Sequence, residues 1–187
     1  MVDGFEVHAK AKEVLGFWFD LLMPEQRFGG SSSVDAAIAE RFGPLRELVL
    51  ASGALGWRDD PDTLLAAVIL LDQFSRNIHR GTGNAFDADP LALELTREAL
   101  ANGWDRAMSA EQRQFLYMPL MHAEDPQMQA LCLEKFDQPG MEENMRFARE
   151  HAAVIERFGR FPTRNAALGR ELTPQEKEYL SGPHPVW

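Results

Sequence analysis

From Phe5 to Leu22 the apolar residues fall at helical spacing, with Val14, Leu15, Phe17, Trp18, Leu21 and Leu22 making a wide stripe. Pro24 ends that element, and Gly29-Gly30-Ser31-Ser32-Ser33 reads as a loop. A second helix is predicted from about Val34 to Ser52, bent where Pro44 removes a backbone donor. Asp60-Pro61, Asp89-Pro90 and Asp125-Pro126 each set a side-chain acceptor before a proline, the order of an N-cap and the first helical position. Ser109 with Gln112, and Thr173 with Glu176, read as capping boxes. Asn102-Gly103 and Gly159 read as stops. The pattern lacks the alternation of strands and predicts an all-α chain of about eight helices, with residues 1–187 forming one domain. Short loops imply antiparallel neighbours, hence stacked helical hairpins. The caps are unevenly spaced, so there is no internal repeat.

Four segments depart from simple amphipathicity. Leu64 to Ile78 is apolar on nearly every side, as a buried central helix is. Asp72 and Arg76 nevertheless lie on it, four residues apart, where two charges are costly unless paired. They either pair with each other, or Arg76 points into a cavity that accepts an anion. Phe115 to His122 is apolar all round with Pro119 inside it, and a kink is expected there. His122, Glu124 and Asp125 follow closely. They suit a metal site or an acid–base pair, or else a core histidine beside the next N-cap. The helix from Met141 to Phe158 is amphipathic and carries His151 on its apolar face. Finally, Arg157-Phe-Gly-Arg-Phe-Pro-Thr-Arg-Asn165 alternates arginines with aromatics just after a helix ends. Guanidinium forks suit carboxylates and phosphates. Arg160 and Arg164 could equally pair with core carboxylates such as Asp72, Glu124 or Asp125.

Charge narrows the partners. With 29 acidic and 19 basic residues the chain carries −10, which repels phosphate backbones and anionic membranes. Neither nucleic acid nor a membrane is therefore expected. Cys132 is the single cysteine, so no internal disulfide and no thiolate zinc cage can form. There is no basic segment leading into a long apolar run, and Leu64 to Leu71 is too short to span a bilayer. The expectation is a cytoplasmic protein.

Several chemistries lack their signatures: the phosphate-binding and dinucleotide-binding glycine loops, the G-x-S-x-G elbow and H-E-x-x-H are all missing. His122-x-Glu124 has no P-C-x-x-C to complete a zinc deaminase site. No cofactor and no metal is expected.

The same segments carry a resemblance. Phe17-Trp18-Phe19, Leu70-Leu71-Asp72-Gln73-Phe74-Ser75-Arg76-Asn77, Phe115-Leu116-Tyr117-Met118-Pro119-Leu120-Met121-His122-Ala123-Glu124-Asp125, and Arg157 to Asn165 with Leu168-Gly169-Arg170 resemble, in order, the bacterial domain-of-unknown-function family numbered 924. The resemblance implies an all-helical fold of the tetratricopeptide-like superfamily, a right-handed array, and no established activity. Two positions depart from it. Thr163 stands where the family commonly has histidine, and Arg27-Phe28 where it commonly has Trp-Phe.

Three roles remain open. The chain is a binding module with a cleft for a small anionic ligand or a peptide carboxylate, lined from Asp72, Arg76, His122, Glu124, His151, Arg160, Arg164 and Asn165. Or it is a hydrolase with His122 or His151 as base and Glu124 or Asp125 as partner. Or it is a scaffold whose charges only pair internally. Trp187, after Pro183-His184-Pro185, is suited to dock on the body of the protein or on a neighbour.

Overall fold

Eight consecutive residues, Leu64 to Leu71, have no exposed surface, as befits a helix apolar on every side. They lie in the central rod of a computed structural model that describes residues 4–185, so Trp187 lies outside the described residues. In chain order the α-helices are α1 (Gly4–Leu15), α2 (Pro24–Phe28), α3 (Ser32–Ala51), α4 (Pro61–Val68), α5 (Ser75–Ile78), α6 (Asp89–Ala101), α7 (Ala110–His122), α8 (Pro126–Phe136), α9 (Glu142–Phe158) and α10 (Pro174–Ser181). A π turn, Gly16–Leu21, continues α1, and a second, Ile69–Phe74, joins α4 to α5. Ten α segments therefore make nine rods among the described residues, with no strand between them.

Local chemistry sets most of the boundaries. The Asp60 carboxylate accepts the N–H groups of Asp62 and Thr63 at 2.9 and 3.0 Å, and Asp125 does the same for Gln127 and Met128 at 2.7 and 3.1 Å. Both capping boxes form, at Ser109 and at Thr173. Gly159 ends α9 in the left-handed conformation, φ 70°, which costs a residue without Cβ nothing. One expectation fails. Ala88, not Asp89, is the N-cap of α6, and the Asp89 side chain is directed elsewhere. Pro44 and Pro119 lie inside α3 and α7, and neither helix stops there.

Packing places the rod of α4, the π turn and α5 among α1, α3, α6 and α7, while α8 lies between α7 and α9. The two π turns meet through aromatic edges: Trp18 sits 5.5 Å from Phe74 and 5.3 Å from Phe115, and Phe17 sits 6.1 Å from Phe74. Arg27, from the short α2, is buried beside the first π turn. It donates to the carbonyls of Trp18, Phe19 and Leu22 at 2.7, 3.0 and 3.0 Å and pairs with Glu111. A smaller apolar cluster of Val154, Ile155 and Phe161, covered by Phe158 and Tyr179, fixes the loop after α9 against α10. Among the described residues no helix is long and apolar enough to cross a membrane.

Candidate functional site

The second π turn carries Asp72 into the core, where its side chain is 1% exposed. π turns often mark functional positions in helices. His122, the last residue of α7, donates from Nδ1 to Asp72 Oδ1 at 2.7 Å. Arg76, one turn further along the rod, reaches the same oxygen at 3.1 Å and the Asp72 carbonyl at 2.9 Å. Its two Nη atoms also close on Asp89 at 2.9 and 3.1 Å, a fork-on-carboxylate pair. Arg164 meets that carboxylate only at 3.4 Å. Its guanidinium lies between the rings of Phe86 and Phe161, 4.6 and 4.5 Å from their centroids. Phe161 lies edge-on to His151 at 5.5 Å, and His151 lies 6.2 Å from His122. The contacts thus form a closed circuit, from Asp72 through Arg76, Asp89, Arg164, Phe161, His151 and His122 back to Asp72.

Burial and charge oppose each other around this circuit. Burial alone raises the Asp72 carboxyl, but Arg76, His122 and Gln73 together hold it well below the usual carboxylate range. Burial, then the charge of Arg76, lowers the His122 imidazole, against the pull of Asp72. His151 is brought down to about 3, first by burial, then by the adjacent His122 ring and by Arg164 and Arg76. It donates Nδ1–H to the Phe147 carbonyl at 2.8 Å, which fixes its tautomer. Both rings are therefore neutral near pH 7. Arg164 is pulled down to about 10 by burial and by Arg76, more than Asp89 and the other carboxylates restore. Its Nε and Nη2 have no acceptor among the described residues, and they are not sealed from solvent.

The remaining expected site residues stand outside the circuit. Glu124 accepts the Phe161 N–H at 2.7 Å and both Nη atoms of Arg170 at 2.7 and 2.9 Å. Arg160 donates to Glu176 at 2.7 and 2.9 Å and to the Glu171 carbonyl, and it holds the carboxyl of Glu176 down to about 2. Asn165 is fully buried beside Glu176, whose carboxyl it helps to hold down. Thr163, at the family's histidine position, is exposed. The partner of His122 is Asp72 rather than Glu124 or Asp125, because the former holds Arg170 and the latter caps α8. Phe86 was not singled out in the sequence, while Asp89 was read only as a cap and Arg170 only as part of the family motif. Two surface depressions lie elsewhere: one of about 490 Å³ beside Arg170 and Lys177, and one of about 800 Å³ between α1 and the start of α7. The circuit opens to solvent only narrowly, with the side chains of Arg76, Asp89, Arg164 and His122 at 21, 19, 12 and 10% exposure. No three His, Cys, Asp or Glu side chains among the described residues are grouped to hold a metal ion.

No curated protein matches the chain. The structure of a protein of unknown function from Agrobacterium tumefaciens is 38% identical over 94% of this chain and 99% of its own, with a TM-score of 0.87. The family model described as bacterial protein of unknown function (DUF924) matches residues 14–184, and the chain belongs to that family.

Proposed function

We propose that the protein is a binding module for a small molecule bearing a carboxylate or phosphate, and that Arg164 is the group that receives it. The observation that carries this reading is the incomplete pairing of Arg164. It is a largely buried guanidinium fixed between two rings, with one long contact to a carboxylate that Arg76 already occupies. Its remaining donors reach solvent, and a buried cation gains from an acceptor that satisfies them. Arg160 and Arg170 are by contrast each closed on a carboxylate, Glu176 and Glu124, and we assign these pairs to holding the loop after α9 in place.

The test is calorimetric titration with inorganic phosphate and with succinate, on the native protein and on Arg164→Gln. Saturable heat that disappears in the variant supports the proposal. A ligand at 100 times its Kd also raises stability by about 2.7 kcal/mol, which gives an independent thermal readout. Equal heats in both proteins, or none in either, remove Arg164 from the role. Native mass spectrometry of the purified protein adds a direct check for a retained small molecule.

A further inference from the structure

We propose that His122 is a general base at this site, and that the molecule held by Arg164 is an ester whose acid part carries a second, anionic group. The inference rests on the anion site described above. Its own support is geometric. His122 gives Nδ1–H to a carboxylate buried behind it, which fixes the tautomer and leaves the Nε2 lone pair on the opposite edge of the ring. No described residue donates to Nε2, and that atom is not sealed from solvent. A histidine oriented by a buried carboxylate, with its other nitrogen open, is the arrangement that takes a proton from a nucleophile. Two separate chains of contact tie it to Arg164, one through Asp72, Arg76 and Asp89 and the other through His151 and Phe161.

The chemistry balances with water as the only co-reactant. His122 Nε2 removes one proton from a water molecule as the water oxygen bonds to the ester carbonyl carbon. The tetrahedral adduct then breaks its bond to the alkoxy oxygen, and the imidazolium returns the proton to that oxygen. An acid and an alcohol leave, and the ring is neutral again. The charged and titratable groups that act on His122 come from three neighbouring elements: Asp72 and Arg76 on the central rod, Asp89 on α6 and His151 on α9. Burial and Arg76 outweigh Asp72 and keep the ring unprotonated at neutrality, so the rate falls only once acid protonates it.

Two measurements on the native protein decide it. The first is alkylation by bromoacetate and by its uncharged counterpart bromoacetamide, with the modified histidine located by peptide mass spectrometry and exposed His8 as the reference. Bromoacetate is expected to modify His122 about tenfold faster than bromoacetamide does, and Arg164→Gln to abolish that preference. The second is hydrolysis of the mono-4-nitrophenyl ester of adipic acid against 4-nitrophenyl hexanoate. Turnover of the anionic ester is expected, reduced about a hundredfold or more in His122→Gln and Asp72→Asn. Modification of His122 without a preference for bromoacetate overturns the anion site but not the base. A His122 that neither reagent touches, or one that is modified without ester turnover, overturns the base even if phosphate binding at Arg164 stands.

Discussion

Asp89 closes on Arg76 with both oxygens and leaves Arg164 a single contact at 3.4 Å. The two arginines are therefore not equivalent, although both belong to one carboxylate. Arg164→Gln removes a cation that the protein compensates poorly, so its stability is expected to stay within about 1 kcal/mol of the parent or to rise. Urea denaturation checks this. Loss of anion binding without loss of stability is the expected pairing of results.

Arg76→Ala behaves differently. It leaves Asp72, 1% exposed, with His122 and Gln73 as its remaining side-chain partners. Because the Arg76 side chain is itself a fifth exposed, the expected loss is roughly 2–4 kcal/mol, somewhat below that of a wholly buried pair. Denaturation midpoints of Arg76→Ala and Asp89→Asn measure it. An unchanged midpoint in both variants would show that the circuit contributes nothing to the fold.

Acid should destabilise the protein in two stages. His122 and His151 are both lowered in the folded state, the latter to about 3. The unfolded chain then binds more protons below about pH 6.5, and stability falls as pH drops through that range. His151 alone accounts for roughly 2 kcal/mol by pH 5. The lowered carboxyls of Asp72, Glu124 and Glu176 have the same sign: their contribution is present above about pH 4 and is lost below it. Stability measured in urea from about pH 7.5 down to about pH 2 checks both stages, and His151→Phe is expected to flatten the first.

Sequence made the local features legible and left the distant ones hidden. Asp60, Ser109, Asp125 and Thr173 act on N–H groups two or three residues away, and their roles could be read from neighbours in the chain. The Asp72–Arg76 pair was equally visible, because a helix brings residues four apart together. Asp89 was misread as a cap because Asp-Pro is also compatible with a first helical turn, and its partners Arg76 and Arg164 lie 13 and 75 residues away. His122 was matched to carboxylates two and three residues on, while its partner lies 50 residues before it. Nothing in the pattern marked the π turns, since an added residue leaves the apolar run looking like any buried helix. Thr163 is the converse case. It differs from the family's residue, yet it is exposed, and Thr163→His is expected to leave stability within about 0.5 kcal/mol in a denaturation experiment.

Cys132 offers a probe of the whole fold. It is fully buried, and burial pushes its thiol up to about 12, so little thiolate is present at neutral pH. Its reaction with a disulfide reagent is expected only through opening of the α8 region, and the rate should rise steeply in denaturant. Prompt labelling of the native protein would show that α8 detaches far more readily than its packing suggests.

The second π turn has a consequence for how the chain can change length. A π turn holds one residue more than an α-helix needs over the same span. Deleting a single residue between Ile69 and Asp72 would let that surplus relax into ordinary α-helix, so the rod could stay intact. The residues beyond the turn would keep their facing, because the widened turn covers a span that an α-helix covers with one residue fewer. A one-residue deletion here is therefore expected to be tolerated far better than one inside α4 or α7, where each lost residue turns everything beyond it by about 100°.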